Sequence, residues 1–191
     1  MSPIKIAVFA SGSGTNAENI VRYFKDSTLC KVELILSNKK DAYVLERAGQ
    51  LGVESFVFSA RELGETDVVN DLLDKKGIDF IILAGFLLKI PNGLLAKFPS
   101  RIINIHPALL PSYGGKGMYG MNVHKAVIDA GEKESGITIH LVDEHYDNGQ
   151  ILFQARCTIS ESDTPEDLAN KIHTLEQTHF PRVIEEYITT C

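Results

Sequence analysis

The sequence of 191 residues contains no tryptophan, only three cysteines and no long apolar run. Cys30, Cys157 and Cys191 are odd in number, far apart and without C-x-x-C spacing, so we expect reduced thiols and no disulfide framework. No stretch approaches the roughly 20 apolar residues that a membrane-spanning helix needs. The N-terminus lacks the charged region and apolar core of a signal peptide. We therefore expect a soluble, cytoplasmic protein without a membrane partner.

Basic residues are outnumbered by acidic ones. The chain has 19 Lys and Arg against 25 Asp and Glu, which gives a formal net charge of −6. This charge disfavours a broad surface for nucleic acid, so no nucleic-acid partner is expected. Apolar residues make up 44% and charged residues 23% of the chain, a mixture typical of a globular domain. The length favours one compact domain.

Short apolar runs alternate with helix-length amphipathic segments in the first half of the chain. The runs are Ile4–Ala10, Val32–Leu36, Glu54–Phe58, Phe80–Ala84 and Ile102–Ile105. Strands that are apolar throughout and alternate with helices indicate a parallel sheet covered on both faces. The sequence therefore predicts an α/β fold of the doubly wound, Rossmann-like kind, with a mostly parallel sheet.

The second half of the chain has a different pattern. The runs Gly136–Val142 and Ile151–Ile159 are joined by a short polar connection, which predicts an antiparallel strand pair. A long helix is predicted after Thr164, because Thr164 is a good N-cap and Pro165 suits the first helical position. Its predicted core-facing stripe comprises Leu168, Ile172, Leu175, His179 and Val183.

A glycine-rich loop, Ser11-Gly12-Ser13-Gly14-Thr15-Asn16, joins the first predicted strand to the first predicted helix. Glycines allow a sharp turn, and the amides at the start of a helix attract an anion, so the loop indicates a phosphate site. An ordinary turn with Ser, Thr and Asn as capping residues is the alternative. The loop lacks the lysine of a Walker motif and the third glycine of a dinucleotide-binding loop, which disfavours both of those sites.

The segment Asn104-Ile-His106-Pro107 lies at the end of the fifth predicted strand. Residues two apart in a strand point to the same side, so Asn104 and His106 are expected next to each other. Open α/β sheets bind ligands at the carboxyl ends of their strands. An amide and an imidazole there can donate hydrogen bonds to an oxygen that gains negative charge. A satisfied polar pair that only closes the strand is the alternative.

Polar residues 143–149 connect the two strands of the predicted antiparallel pair. We interpret Asp143 and Glu144 as solvated turn residues. Asp147, at the turn itself, is the candidate partner of His106, because a nearby carboxylate raises the pKa of an imidazole and favours its charged form. The spacing alone leaves open whether the two side chains meet.

These motifs together resemble those of the glycinamide ribonucleotide formyltransferases, within the folate-dependent formyltransferase superfamily. The resemblance covers almost the whole chain. It rests on Ala10-Ser-Gly-Ser-Gly-Thr-Asn16, Leu83-Ala-Gly-Phe86, Asn104-Ile-His-Pro-x-Leu-Leu-Pro111 and Asp147-x-Gly-x-Ile151. Ala108 departs from the serine that most relatives carry after His-Pro. The Asn-x-His-Pro segment with a downstream aspartate indicates folate-dependent formyl transfer and is less specific for the acceptor.

The resemblance implies one formyltransferase domain over residues 1–191, with a nucleotide-binding N-terminal half and a folate-binding C-terminal half. It implies an enzyme of purine biosynthesis, in which the amine of glycinamide ribonucleotide attacks the formyl group of the co-substrate 10-formyltetrahydrofolate. Asn104 would bond the oxyanion of a tetrahedral intermediate, and protonated His106 would stabilise it. Asp147 would support His106 and assist proton transfer. No metal is implied.

Two sets of binding residues follow from the same resemblance. The nucleotide set comprises Gly12, Ser13, Gly14, Thr15, Asn16, Gly85, Leu87 and Glu176. The folate set comprises Phe86, Leu88, Lys89, Ile90, Asn104, Leu141, Val142, Asp143 and Asp147. Taken without the resemblance, Glu176 is expected to be a solvent-facing helix residue, and Phe86 and Ile90 are equally consistent with ordinary core.

Three other functions remain as alternatives. A methionyl-tRNA formyltransferase would need a further C-terminal domain and a basic surface for tRNA. A formyltetrahydrofolate deformylase would carry a further N-terminal domain. A non-enzymatic nucleotide-binding module would leave Asn104, His106 and Asp147 unexplained. The sequence also leaves open the choice between a monomer and a homodimer.

Overall fold

The computed structural model describes residues 2–191. The strands are β1 Ile4–Phe9, β2 Cys30–Ser37, β3 Glu54–Val57, β4 Phe80–Leu83, β5 Ile102–His106, β6 Glu134–Leu141 and β7 Ile151–Thr158. The helices are α1 Thr15–Tyr23, α2 Val44–Leu51, α3 Ala60–Gly64, α4 Val68–Lys76, α5 Asn92–Lys97, α6 Met121–Asp129 and α7 Pro165–Ile188.

The seven strands form one sheet in the order β3-β2-β1-β4-β5-β6-β7. Strand β1 pairs in parallel with β2 and β4, and β2 pairs in parallel with β3. Strands β6 and β7 pair antiparallel. The predicted α/β class, the mostly parallel sheet and the antiparallel pair in the second half are confirmed.

The chain divides into two compact units, one that ends at Ile103 and one over Asn104–Cys191. The predicted assignment of the nucleotide to one half of the chain and of folate to the other stays a prediction. Among the described residues, no helix is both long enough and apolar enough to cross a membrane.

The core of the first unit is built on β1. Its residues Ile6, Ala7, Val8 and Phe9 have no exposed surface, as expected for a strand that is buried on both faces. Phe9 also contacts the rings of Phe58 and Phe86, with centroids 5.7 Å and 5.3 Å away. This aromatic cluster fixes the chain that follows β4.

Helix α7 provides much of the core of the second unit. It packs against α6, β6 and β7, and a reciprocal capping box between Thr164 and Asp167 starts it, as the sequence predicts. Leu168, Ile172 and Val183 of the predicted stripe are buried. Leu175 and His179 are only half-buried, whereas Phe180 and Ile184 are completely buried.

Helix α3 lies outside the predicted elements. Its signal is the capping box of Ser59 and Glu62, in which each side chain bonds the backbone of the other residue. Helix α4 accordingly begins at Val68 rather than at the predicted Thr66. The element was missed because it has only five residues, too few to show a helical period.

Candidate active site

Strand β5 carries two polar side chains on one face of the second unit. Asn104 is half-buried and His106 is 3% exposed, although their neighbours Ile103 and Ile105 are apolar core residues. The period of two along a strand explains why both polar groups point the same way. A buried polar side chain requires a partner, and both residues have one.

The partner of Asn104 is His140 on β6. The amide Nδ2 of Asn104 lies 3.0 Å from His140 Nε2, and His140 Nδ1 lies 2.8 Å from the carbonyl oxygen of Leu141. A carbonyl can only accept, so Nδ1 of His140 carries the hydrogen and Nε2 accepts from Asn104. His140 takes one of the two amide hydrogens of Asn104, and the second can serve a ligand.

His106 is flanked by two acceptors. Its Nε2 lies 2.8 Å from the carbonyl oxygen of Tyr113, and its Nδ1 lies 3.7 Å from Oδ2 of Asp147. Asp147, the candidate partner of His106, therefore lies beside it. The Nε2–H group donates to Tyr113, so in a neutral ring the lone pair of Nδ1 faces the carboxylate.

The pKa of His106 is lowered, and burial is the largest cause. The charge of Asp147, the hydrogen bond to the Tyr113 carbonyl and the charge of Glu176 raise this pKa, while His140 lowers it. Burial outweighs the carboxylate because the imidazolium loses its hydration. Burial thus disfavours the charged ring, whereas the carboxylate of Asp147 raises the pKa of His106, as the sequence predicts for a nearby carboxylate.

Asp147 holds its carboxylate between two imidazoles. Burial raises its pKa, but the positive charge that His140 and His106 carry when protonated and the hydrogen bond from the amide of Gly115 together lower it below the ordinary value. The Gly115 amide lies 2.9 Å from Oδ2, and His140 Nε2 lies 3.7 Å from Oδ1. Asp147 adopts a positive φ of 52°, which aims its side chain inward from the turn.

Two further titratable residues lie on helices of the second unit. Glu176 on α7 is half-buried, pairs with His173 at 3.7 Å and raises the pKa of both His106 and His124. The solvent-facing interpretation of Glu176 is therefore wrong. His124 on α6 is 6% exposed, and its Nδ1 is the one buried side-chain nitrogen or oxygen without a hydrogen-bond partner within residues 2–191.

The glycine-rich loop of the first unit is shaped by α2. The backbone of Gly14 has a φ of 76°, and a Cβ there would lie 2.5 Å from Cγ2 of Val44, so only glycine fits. The side chain of Arg47 donates to the carbonyl oxygen of Ser13 at 2.8 Å. Gly14 is the N-cap of α1 and provides no capping side chain. The first-turn amides are thus arranged as in anion-binding helix starts.

Residues 85–90 lie next to this loop. The hydroxyl of Ser11 accepts from the Leu87 amide at 3.0 Å, and the Ser11 amide donates to Gly85 O. Leu87 is 40% exposed, and Phe86 packs into the aromatic cluster with Phe9. Of the other predicted folate residues here, Leu88 is half-buried, Lys89 is exposed and Ile90 is buried.

The predicted folate residues of the second unit differ in exposure. Leu141 is buried, whereas Val142 and Asp143 are half-buried. The carboxylate of Asp143 accepts from the His145 amide at 2.8 Å, as in a local Asx turn. A Cβ on Gly149 would lie 1.8 Å from the Leu141 carbonyl oxygen, so the turn that presents Asp147 requires this glycine.

His140 and Tyr113 are absent from the site residues predicted from the sequence. His140 had a readable signal, because Thr138 and His140 are polar residues two apart in an apolar run, the same pattern as Asn104 and His106. Tyr113 contributes its backbone carbonyl, and a backbone contact cannot be predicted from the type of residue. Among the described residues, no group of three or more His, Cys, Asp or Glu could hold a metal ion.

Comparison with known proteins identifies the family of this chain. A family model described as formyl transferase matches residues 4–184. The chain belongs to the formyl transferase family. The family resemblance stated from the motifs is confirmed, and it extends over all the residues that build the cluster around His106.

Relatives in this family have a common name. A phosphoribosylglycinamide formyltransferase of Haemophilus influenzae is 34% identical over 95% of this chain and 85% of its own length. A chloroplastic protein of that name from Arabidopsis thaliana is 45% identical over 88% of this chain. The matched region spans 60% of that relative's own length. The crystal structure of the Streptococcus pneumoniae protein of that name has a TM-score of 0.84 at 37% identity and covers 96% of this chain and 98% of its own.

Proposed function

We propose that the chain transfers the formyl group of 10-formyltetrahydrofolate to the amine of glycinamide ribonucleotide, a step of purine biosynthesis. The observation that carries the proposal is the meeting of Asp147 with His106 at 3.7 Å, in the same cluster as Asn104. The names of the relatives support the choice of acceptor. Both substrates are small molecules, and the co-substrate supplies the formyl group.

Asn104 and His106 are proposed to stabilise the intermediate. Attack of the amine on the formyl carbon forms a C–N bond and puts negative charge on the formyl oxygen. The second amide hydrogen of Asn104 can donate to that oxyanion. The nearby negative charge also favours the protonated form of His106, which burial disfavours in the resting protein.

Asp147 is proposed to move the proton. The attacking nitrogen must lose a hydrogen, and N10 of the folate must gain one when its bond to the formyl carbon breaks. A carboxylate with a lowered pKa is ionised at neutral pH and can accept that hydrogen. The products are the formylated amide and tetrahydrofolate, so the exchange balances without a metal or an oxidant.

The binding residues follow the same proposal. The amides of Gly14, Thr15 and Asn16 would hold the phosphate of the nucleotide, with Gly12, Ser13, Gly85 and Leu87 in the same site. Glu176 would bind the amino end of the nucleotide. The residues 86–90 and 141–143 named above would contact folate. Localisation in the cytoplasm and a monomeric or homodimeric state stay predictions, and the Arabidopsis thaliana relative is named chloroplastic.

The test is a steady-state assay with both substrates that follows the folate absorbance, with a second reaction that lacks the nucleotide. Turnover that requires glycinamide ribonucleotide is the expected result. Folate turnover without the nucleotide would instead indicate a hydrolase. Nucleotide binding without turnover in either reaction would favour a binding module and overturn the proposal.

A further inference from the structure

Residues 113–115 contact both members of the His106–Asp147 pair. The carbonyl oxygen of Tyr113 accepts from His106 Nε2 at 2.8 Å, and the amide of Gly115 donates to Oδ2 of Asp147 at 2.9 Å. A Cβ on Gly114, between them, would lie 2.6 Å from Leu110 Cδ2 and 3.3 Å from the Cβ of Asp147. This short segment therefore touches both side chains through backbone groups.

The Tyr113 carbonyl determines which nitrogen of His106 carries the hydrogen. Because the carbonyl can only accept, it holds the hydrogen on Nε2 and leaves the lone pair on Nδ1, toward Asp147. A group that fixes the tautomer of a catalytic histidine acts on catalysis without touching the substrate. The position of this one carbonyl oxygen therefore matters for the chemistry.

The backbone of Tyr113 requires an external constraint. Tyr113 has a φ of 57°, in the left-handed region that residues with a Cβ seldom adopt. Its hydroxyl donates to Oε1 of Glu132 at 2.7 Å, in the connection between α6 and β6. Glu132 is exposed, and its hydrogen bond reaches the His106–Asp147 pair through Tyr113.

We infer that Tyr113 and Glu132 are positioning residues for the reaction, because their hydrogen bond holds the Tyr113 carbonyl against His106 Nε2. The link to catalysis rests on the proposed function, whereas the link to the His106 tautomer does not. Asp147 beside Nδ1, His140 on β6 and Glu176 on α7 are the other titratable groups that act on His106. His124 on α6 is itself affected by the charge of His106. None of them replaces the carbonyl at Nε2.

The test compares Tyr113→Phe, Glu132→Ala and Glu132→Gln. The first two remove the hydrogen bond, and the third keeps an oxygen that can accept from the hydroxyl. Tyr119→Phe is the matched control, since Tyr119 is a tyrosine of the same loop that is 51% exposed. Nitrogen NMR of the free protein reports the tautomer and the pKa of His106, and steady-state kinetics report kcat and KM.

In the unaltered protein we expect the hydrogen on Nε2. Tyr113→Phe and Glu132→Ala should mix the two tautomers and lower the pKa of His106 further, because the hydrogen bond to the carbonyl raises it. They should lower kcat about tenfold, an effect in the range of a misplaced catalytic group, and change KM little. Glu132→Gln should retain the tautomer and most of kcat.

The inference is overturned if Tyr113→Phe and Glu132→Ala leave the tautomer and the pKa of His106 unchanged. Loss of folded signal in Tyr113→Phe would shift the test to Glu132→Ala, whose residue is exposed. A chain that catalyses no formyl transfer but shows the tautomer change would contradict the proposed function and uphold the positioning role. An equal effect of Tyr119→Phe would also contradict it.

Discussion

The side-chain amide of Asn104 on β5 donates to Nε2 of His140 on β6 at a distance of 3.0 Å. Nδ1 of His140 donates to the carbonyl oxygen of Leu141 at 2.8 Å, so the imidazole ring is held at both nitrogens. The fixed ring in turn orients the amide of Asn104. It also determines which amide hydrogen of Asn104 remains for a ligand. His140 therefore determines how Asn104 presents its remaining amide hydrogen.

Replacement of His140 by phenylalanine should lower both stability and turnover. The variant leaves the amide of Asn104 and the carbonyl of Leu141 without their buried partner, which costs about 1–3 kcal/mol of unfolding free energy. Asn104 then loses its fixed orientation, and kcat should fall about tenfold or more. Urea unfolding and steady-state kinetics measure the two effects. His145→Phe, at a side chain that is 67% exposed, should change neither by a comparable amount.

Replacement of Asp147 by asparagine should remove the proton acceptor while keeping the shape of the side chain. We expect kcat to fall about a hundredfold, as for the loss of a general base. The pKa of His106 should also fall further, because the charge of Asp147 raises it. Imidazole NMR and kinetics report these quantities. A variant with the kcat of the unaltered chain would refute the role, and Asp129→Asn, at an exposed residue of α6, serves as the control.

The fold was readable from the sequence because its signals are local. Continuous apolar runs such as Ile4–Ala10 predict buried parallel strands, and Thr164-Pro165 predicts the start of the last helix. The core stripe of α7 was less accurate. Phe180 and Ile184 are fully buried, whereas Leu175 is half-buried, because contacts with three other elements decide which residues are covered.

The site was only partly readable, for a physical reason. Asn104 and His106 lie in one strand, so their common face follows from the chain geometry. The contact of His106 with Asp147 joins residues 41 apart along the chain, and only the folded backbone brings them within 3.7 Å. The Tyr113 carbonyl is a backbone group, which every residue has, and its role depends on a positive φ that the sequence does not specify.

Acidification should destabilise the protein through two buried histidines. Burial lowers the pKa of His106 and of His124 below 6.5, so between 6.5 and the lower folded-state value the unfolded chain binds more protons. The free energy of unfolding therefore rises with pH in this window, and it decreases as the pH falls through the window. Urea unfolding at several values between about pH 7.5 and about pH 5, on both sides of the ordinary histidine pKa, measures how steeply the free energy of unfolding depends on pH.

His124→Leu should make this decline shallower, because it removes one of the two titrating groups. It also removes the buried Nδ1 that lacks a partner, so we expect the unfolding free energy at neutral pH to stay within about 1 kcal/mol of the original. A variant with the same slope as the unaltered protein would show that His124 does not contribute. His173→Leu is the comparison with the opposite expected effect. Glu176 raises the pKa of His173, so His173 stabilises the folded protein on acidification, and its removal should make the decline steeper.

Replacement of Gly14 by alanine should damage the glycine-rich loop by two independent effects. The φ of 76° is strained for any residue with a Cβ, and that Cβ would lie 2.5 Å from Val44 Cγ2 and 2.8 Å from Val44 Cα. Backbone strain and overpacking together should cost at least about 2 kcal/mol of unfolding free energy. Gly49→Ala, on α2, meets no atom within 4 Å and should instead stabilise the helix by about 0.5–1 kcal/mol.

The same pair of variants tests the proposed phosphate site. A ligand that binds only the folded protein raises its unfolding temperature, so added glycinamide ribonucleotide should stabilise the unaltered chain and Gly49→Ala equally. Gly14→Ala should lose most of this shift, because the amides at the start of α1 move when Val44 is displaced. A full shift in Gly14→Ala would show that the nucleotide phosphate binds elsewhere, since this loop cannot keep its geometry with a Cβ at residue 14.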